Sequence, residues 1–216
     1  MTLQQLLTDY ITVIVFIAVA VVFILGYIII KRYVDVVLPK KRLESNNKDK
    51  SIKIVKKIIE KYIRRNDGRA IYSIEVGSNK TKGSADAILV GYFGVLVITT
   101  CPLSGTLYAN DKDTSLTQIV KEERRSHDNP ILKSQIAGKA VTELLREKRV
   151  FKVPVEAAVV FTGNKASVNV PRSLGAYTIE ELSKVLKTKH FLEDKNVNVD
   201  SVVQALLGMS EKKEKK

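Results

Sequence analysis

Side chains able to do covalent or metal chemistry are few and far apart in this sequence. Its one cysteine is Cys101, and its two histidines are His127 and His190. No CxxC pair and no Cys/His spacing typical of a zinc site is present. Nothing near Cys101 in the sequence would orient it against His127, and an isolated cysteine is most often a small buried apolar residue. A single cysteine excludes an intramolecular disulfide and is typical of a reducing compartment.

Basic side chains are the second feature with chemical consequences. The chain of 216 residues has 36 Lys+Arg against 23 Asp+Glu, a formal charge of +13. Such an excess favours contact with phosphates, in nucleic acid or in anionic lipid. The sequence has no tryptophan and no basic residues interleaved with aromatics, which argues against nucleic acid. Nucleic acid and anionic lipid therefore both remain candidate partners. The candidate contact residues are Lys40, Lys41, Arg42, Lys53, Lys56, Lys57, Lys61, Arg64 and Arg65.

An uncharged apolar segment covers residues 10–30 and reads YITVIVFIAVAVVFILGYIII. About 20 such residues cross a bilayer as a helix, the one conformation in which a lone segment pairs all its backbone groups. The start of the chain has no Lys or Arg and the run ends in Lys31-Arg32, which favours a retained transmembrane helix over a cleaved signal peptide. Basic residues after the run predict a single-pass protein of the cell membrane. Residues 1–9 are then outside, and the rest of the chain lies in the cytoplasm.

The rest of the chain predicts one globular domain after a basic juxtamembrane linker. The linker covers residues 31–50, of which residues 39–50 are polar and contain a cluster of turn formers. An amphipathic helix then starts at Ser51 and ends at Asn66-Asp67-Gly68. Strand composition and short Gly-rich turns then predict an antiparallel three-strand meander, with the wholly apolar third strand in the centre of a sheet. The meander strands are predicted at residues 70–76, 85–90 and 95–101.

Residues 102–128 are polar and predict a long irregular loop around one short strand near residues 106–109. A helix follows, with Asn129 as its N-cap and Pro130 at its first position, and ends near Lys148. Further predicted elements are a buried strand at 155–161, an edge strand at 167–170, helices at 178–187 and 200–209, and a disordered tail at 210–216. This order predicts an α/β fold of three layers with a central mixed sheet.

Residues 86–105, DAILVGYFGVLVITTCPLSG, resemble the nuclease-related domain (NERD) family. That family has an Asp on one strand, a loop ending in Gly, and then a strand reading Gly-Val-Phe/Tyr-Val-Ile-Glu-x-Lys, with a further Gly after it. The resemblance continues in Asn129-Pro130 with Gln135 on the following helix, and in VVF at 159–161. It implies a NERD-like domain over residues 51–209 with a restriction-endonuclease-like core.

The resemblance also implies a D…(E/D)xK metal site, in which two carboxylates hold Mg2+ against a phosphate and a lysine positions water. Residue by residue, the Asp falls on Asp86, the Glu on Thr99 and the Lys on Cys101. One carboxylate with threonine hydroxyls is a poor Mg2+ site. We therefore interpret Asp86, Thr99, Cys101 and Gln135 as a vestigial site in a non-catalytic protein without a cofactor.

Two other interpretations stay open at this stage. A rearranged nuclease site, the one case that needs Mg2+, would recruit Glu75 or Lys139 to Asp86. A membrane-proximal scaffold would use the former cleft to contact a protein. The main hypothesis remains a membrane-anchored module that binds nucleic acid or protein.

Overall fold

The computed structural model describes residues 19, 21–31, 38–77, 81–110 and 113–208. The chain divides into two compact units, residues 1–47 and 48–216. In the first unit, residues 21–31 form a helix, α1, whose side chains are almost all exposed. No helix among the described residues is both long and apolar enough to cross a membrane. Residues 10–18 and residue 20 of the predicted span lie outside the described residues, as do residues 1–9.

The elements after α1 follow one another in this order. They are α2 Leu38–Asn66, β1 Arg69–Gly77, β2 Lys82–Gly91, β3 Gly94–Cys101, β4 Thr106–Tyr108, β5 Ser115–Val120, β6 Glu123–Asp128, α3 Pro130–Glu147, β7 Val155–Phe161, β8 Ser167–Asn169, β9 Ala176–Thr178, α4 Ile179–Val185, α5 Lys189–Leu192 and α6 Val199–Leu207, with a 3-10 turn at Arg172–Leu174.

Helix α2 begins at Leu38, so the prediction of a non-helical linker up to residue 50 and a helix start at Ser51 is wrong. Residues 38–50 contain no glycine, and their one proline, Pro39, lies in the first turn, where a helix tolerates it. Lys, Arg, Leu and Glu in this stretch are good helix formers and outweigh Asn46-Asn47. The helix ends at Asn66 as predicted, with Arg64 and Arg65 in the last turn, where cations favour the helix dipole.

A five-stranded mixed sheet forms the centre of the second unit. Its strand order is β1-β2-β3-β7-β9. β1, β2 and β3 pair antiparallel, whereas β7 pairs parallel with β3 and β9 parallel with β7. The meander and the central position of β3 are therefore as predicted. The turn into β3 needs a glycine, because Gly94 has φ +127 and an added Cβ would lie 2.4 Å from the Pro154 carbonyl oxygen.

A second, four-stranded sheet has the order β6-β5-β4-β8. The prediction of an irregular loop over residues 102–128 is wrong, because β5 and β6 form an antiparallel hairpin there. The hairpin turn is Lys121-Glu122, two non-glycine residues at positive φ. β6 is exposed along almost its whole length. Its residues therefore lack the apolar alternation by which a half-buried strand is recognised in a sequence.

Helices cover both faces of the central sheet, which gives the predicted three-layer α/β architecture. Alternate residues of β2 point to opposite faces. Ile88 and Val90 pack with α3 and α6, whereas Ala87 and Leu89 pack with α2 and α4. Helix α3 starts at the predicted N-cap, since the Asn129 side chain accepts a hydrogen bond from the Ile131 backbone N–H at 3.0 Å. A third cluster lies between the two sheets and includes Cys101 and Phe161.

Candidate functional site

Asp86 lies on β2 with only 6% of its surface exposed. Its Oδ2 accepts two hydrogen bonds from Thr100 of β3, from the backbone N–H at 2.7 Å and from the hydroxyl at 2.9 Å. Hydrogen bonds to an ionised carboxylate are among the stronger ones in proteins. The backbone of the neighbouring strand thus fixes one oxygen of the candidate carboxylate.

The other oxygen of Asp86 forms an ion pair with Lys48. The Lys48 Nζ lies 3.0 Å from Asp86 Oδ1, and the lysine side chain is 55% exposed. Lys48 is in α2, so this contact joins that helix to the sheet at Lys48. A monovalent cation of the chain itself therefore compensates the charge of the buried carboxylate.

Sequence reasoning missed Lys48, because we placed it in the linker before the helix. The spacing of residues in the helix could have indicated its position. Lys48 precedes Ser51, Val55 and Ile59 by three, seven and eleven residues, which places all four on one face of a helix. These three residues are buried, so Lys48 continues the inward face of α2 by one turn. Extending the helix upstream would have placed a lysine over the sheet.

Thr99 and Cys101, at the Glu and Lys positions of the expected motif, do not bond to Asp86. The Thr99 hydroxyl is buried and has no hydrogen-bond partner among the described residues. Cys101 lies in the apolar cluster between the two sheets, next to Leu107 and Phe161. Burial raises the pKa of its thiol to about 11, which leaves it protonated and a poor nucleophile at neutral pH.

The histidines do not make a catalytic pair with Cys101. His127 Nε2 lies 2.8 Å from the Gln118 side-chain oxygen. His190 pairs with Glu156 on the surface. Both histidines are therefore held by partners other than Cys101.

The remaining predicted site residues lie along α3 and β1. Gln135 and Lys139 line a shallow groove between α3 and β7, together with Val155 and Ala157. Asp86 is not among the residues lining this groove. Glu75 is exposed on β1 opposite Ser84 of β2. The structure therefore brings Asp86 together with Thr100 and Lys48, and places Gln135 with Lys139 at a separate groove.

The donors around Asp86 do not fit Mg2+. This ion prefers carboxylates and water in octahedral geometry, whereas both oxygens of Asp86 already hold donors from Thr100 and Lys48. A metal ion would have to displace the ammonium and would find no second carboxylate at the Thr99 position. More generally, no group of three His, Cys, Asp or Glu side chains in the described part of the chain is arranged to hold a metal.

The candidate contact residues of α2 form an exposed basic face. Lys53, Lys56, Lys57, Lys61, Arg64 and Arg65 are all exposed. Within this set Lys56 pairs with Glu60 at 3.8 Å and lies over the Tyr72 ring at 5.1 Å. Lys40, Lys41 and Arg42 belong to α2, but their side chains lie outside the described part of the structure.

The architecture defines a three-layer α/β domain whose central mixed sheet presents an acidic residue on the second strand of an antiparallel meander. Residues 50–162 match the model of the nuclease-related domain (NERD) family. This match covers more than half of the chain, which therefore belongs to the nuclease-related domain family. No curated protein and no solved structure matches the chain.

Proposed function

We propose that this chain is a membrane-anchored, non-catalytic member of the nuclease-related domain family. Its domain acts in the cytoplasm as a module that binds nucleic acid or protein. The observation that carries the proposal is the state of Asp86, whose two oxygens are engaged by the Lys48 ammonium and by Thr100. The family relationship itself supports a nuclease-related ancestry.

The charges at the site argue against phosphodiester hydrolysis. A metal-dependent nuclease stabilises developing negative charge with divalent ions held by several carboxylates. Here the expected Glu and Lys positions carry Thr99 and Cys101. The thiol is protonated, with its pKa raised to about 11 by burial, so it supplies neither a positive charge nor a base. The remaining carboxylate stabilises the fold by joining β2, β3 and α2.

The membrane location rests on the apolar sequence of residues 10–30 and the basic residues that follow it. We assign a single-pass topology in the cell membrane, with residues 1–9 outside and residues 31–216 in the cytoplasm. The domain that we place there spans residues 51–209 and follows a basic segment at 31–50. Residues 210–216 form a charged tail.

The direct test of the non-catalytic role is a cleavage assay on the full chain. Purified protein is incubated with Mg2+ or Mn2+ and with single- and double-stranded DNA and RNA. We expect no cleavage above that of an Asp86→Ala variant prepared in parallel, because Thr99 stands where the second metal-binding carboxylate is expected. Divalent-ion-dependent cleavage that Asp86→Ala abolishes would establish a rearranged nuclease site instead.

A further inference from the structure

A groove between α2 and the α4–α5 segment combines cationic and apolar side chains. Its volume is about 440 Å3. One wall is one side of α2, and the other is formed by the second half of α4, the turn after it and the end of α5. The residues lining it are Lys57, Ile58, Lys61, Tyr62, Arg65, Asn66, Ser183, Leu186, Lys187 and Leu192. We name this feature the basic groove.

The charge of the basic groove has one sign. Lys57, Lys61, Arg65 and Lys187 line it, and no acidic residue does. None of the ion pairs between described side chains involves any of these four. Lys57, Lys61 and Arg65 recur at intervals of four residues, which places them on one side of α2. The groove is therefore complementary to an anionic ligand.

Apolar side chains lie between these cations. Ile58 is half-buried, Leu186 is buried, and Leu192 is 52% exposed at the rim. Leaving the exposed carbon atoms of Leu192 in water is unfavourable. A free phosphate would satisfy the cations and leave this surface exposed. A ligand that complements both parts of the groove has an anionic group attached to a hydrocarbon chain.

Nucleic acid fits the basic groove less well. Binding of single strands uses exposed aromatic rings on which bases stack. The one aromatic residue of the groove, Tyr62, is only 7% exposed. Its ring packs edge-on against Phe93 at 6.1 Å between centroids, and its hydroxyl donates to the Phe191 carbonyl. No ring of the groove is therefore presented to a base.

We propose that the basic groove binds the headgroup and adjoining acyl carbons of an anionic phospholipid. Lys57, Lys61, Arg65 and Lys187 contact the phosphate-bearing headgroup, and Ile58 and Leu192 contact the hydrocarbon. The surface of the inner leaflet attracts such clusters of basic residues. The proposal rests on the membrane location proposed above and is independent of whether the domain is catalytic.

Hydrogen exchange of the full chain with vesicles tests this site. The chain is studied with vesicles of phosphatidylcholine alone and with vesicles of equal parts phosphatidylcholine and phosphatidylglycerol. Ligand binding slows exchange where it stabilises local structure, so we expect roughly fivefold slower exchange in residues 57–66 and 183–192 with the mixed vesicles. Residues 130–147 in α3 serve as the internal reference and should exchange equally in both.

Two pairs of variants distinguish binding in the basic groove from unspecific attraction to a negatively charged surface. The triple variant K57E/K61E/R65E should lose the protection, whereas K50E/K53E/R64E, with the same charge change on the same helix, should keep it. Leu192→Ser should weaken the protection, and Phe151→Ser, an exposed apolar residue elsewhere, should not. Unchanged exchange in α3 verifies that each variant is folded.

Three results would overturn the lipid site. The first is equal exchange of the groove segments in the two kinds of vesicle. The second is equal loss of protection in the two triple variants, which would indicate unspecific attraction to a negative surface. The third is protection by an added oligonucleotide with phosphatidylcholine vesicles and none by phosphatidylglycerol, which would assign the groove to nucleic acid. If the proposed membrane location is wrong, the chain will not remain with the membrane fraction, and this result is distinct from the three above.

Discussion

At the residue scale, Asp86, which the family resemblance gives as a metal ligand, is a buried carboxylate that joins parts of the fold. Two donors of Thr100 and the Lys48 ammonium engage its oxygens. A buried carboxylate is costly unless such partners compensate it. Asp86 consequently ties together three elements whose relative positions define the centre of the domain.

Replacing Asp86 should destabilise the fold more than replacing an exposed acidic residue. Asp86→Ala leaves the buried Thr100 N–H without its acceptor, which costs about 1–3 kcal/mol. The matched control is Asp128→Ala, which removes an exposed ion pair with Lys133 and should cost much less, because solvent screens exposed ion pairs. Lys48→Ala should fall between the two, because Lys48 is half exposed. Urea unfolding of the full chain measures all three, and equal midpoints for the Asp86 and Asp128 variants would refute the structural role.

Cys101 should resist alkylation in the folded protein. Burial raises its pKa from 9.0 to about 11, and only the thiolate reacts. Labelling with iodoacetamide at pH 8 should be slow in the native chain and fast in urea. The rate should rise as the pH approaches 11, within the range where the protein stays folded. Rapid native labelling at pH 8 would contradict the burial of this thiol.

The raised pKa of Cys101 also makes the stability of the fold depend on pH. The unfolded thiol ionises above pH 9, whereas the folded one stays neutral up to about 11. The contribution of this neutral, buried thiol is therefore complete below pH 9 and is lost as the pH rises from 9 towards 11.

At the scale of the elements, helical and strand periodicity predicted four of the five strands of the central sheet and missed β9, which has only three residues. The three meander strands, β7 and the Asn129-Pro130 helix start agree with the structure, because each has a continuous apolar pattern or a capping residue with a known role. The hairpin of β5 and β6 escaped prediction, since its second strand is exposed and polar. The first part of α2 was not predicted, because Pro39, Asn46 and Asn47 are residues that often end helices when they are considered apart from the helix that follows them.

The N-cap of α3 should matter to stability. The Asn129 side chain accepts from the Ile131 N–H and donates to the Asp113 carbonyl at 2.7 Å. Asn129→Ala should therefore destabilise the domain by about 1–2 kcal/mol, and Asn164→Ala, at an exposed position, by less than about 0.5 kcal/mol. Thermal unfolding compares the two. Similar effects from both substitutions would mean that the cap contributes little.

At the scale of the whole molecule, the candidate site could be predicted only in part. The resemblance located Asp86 and the replaced positions Thr99 and Cys101, since these follow directly from the strand sequence. It did not locate the Lys48 ion pair, which depends on how far α2 extends. Grooves formed by distant segments, such as the basic groove, have no continuous sequence signal at all.

The proposed topology predicts which ends of the chain an impermeant maleimide reaches in intact cells. Cys101 is buried and should give little background, so single cysteines report their own location. Thr2→Cys should label in intact cells, whereas Ser210→Cys should label only after permeabilisation. The opposite pattern would invert the orientation. Labelling of both in intact cells, or release of the chain by alkaline carbonate, would refute the anchored topology.

The central claim is that Asp86 does not hold a divalent ion, because Lys48 and Thr100 take up its two oxygens. Calorimetric titration of Mn2+ into the full chain and its Asp86→Ala variant tests this most directly. We expect indistinguishable titrations, with no saturable component that depends on Asp86. Saturable Mn2+ binding to the wild-type chain that disappears in Asp86→Ala would contradict the account.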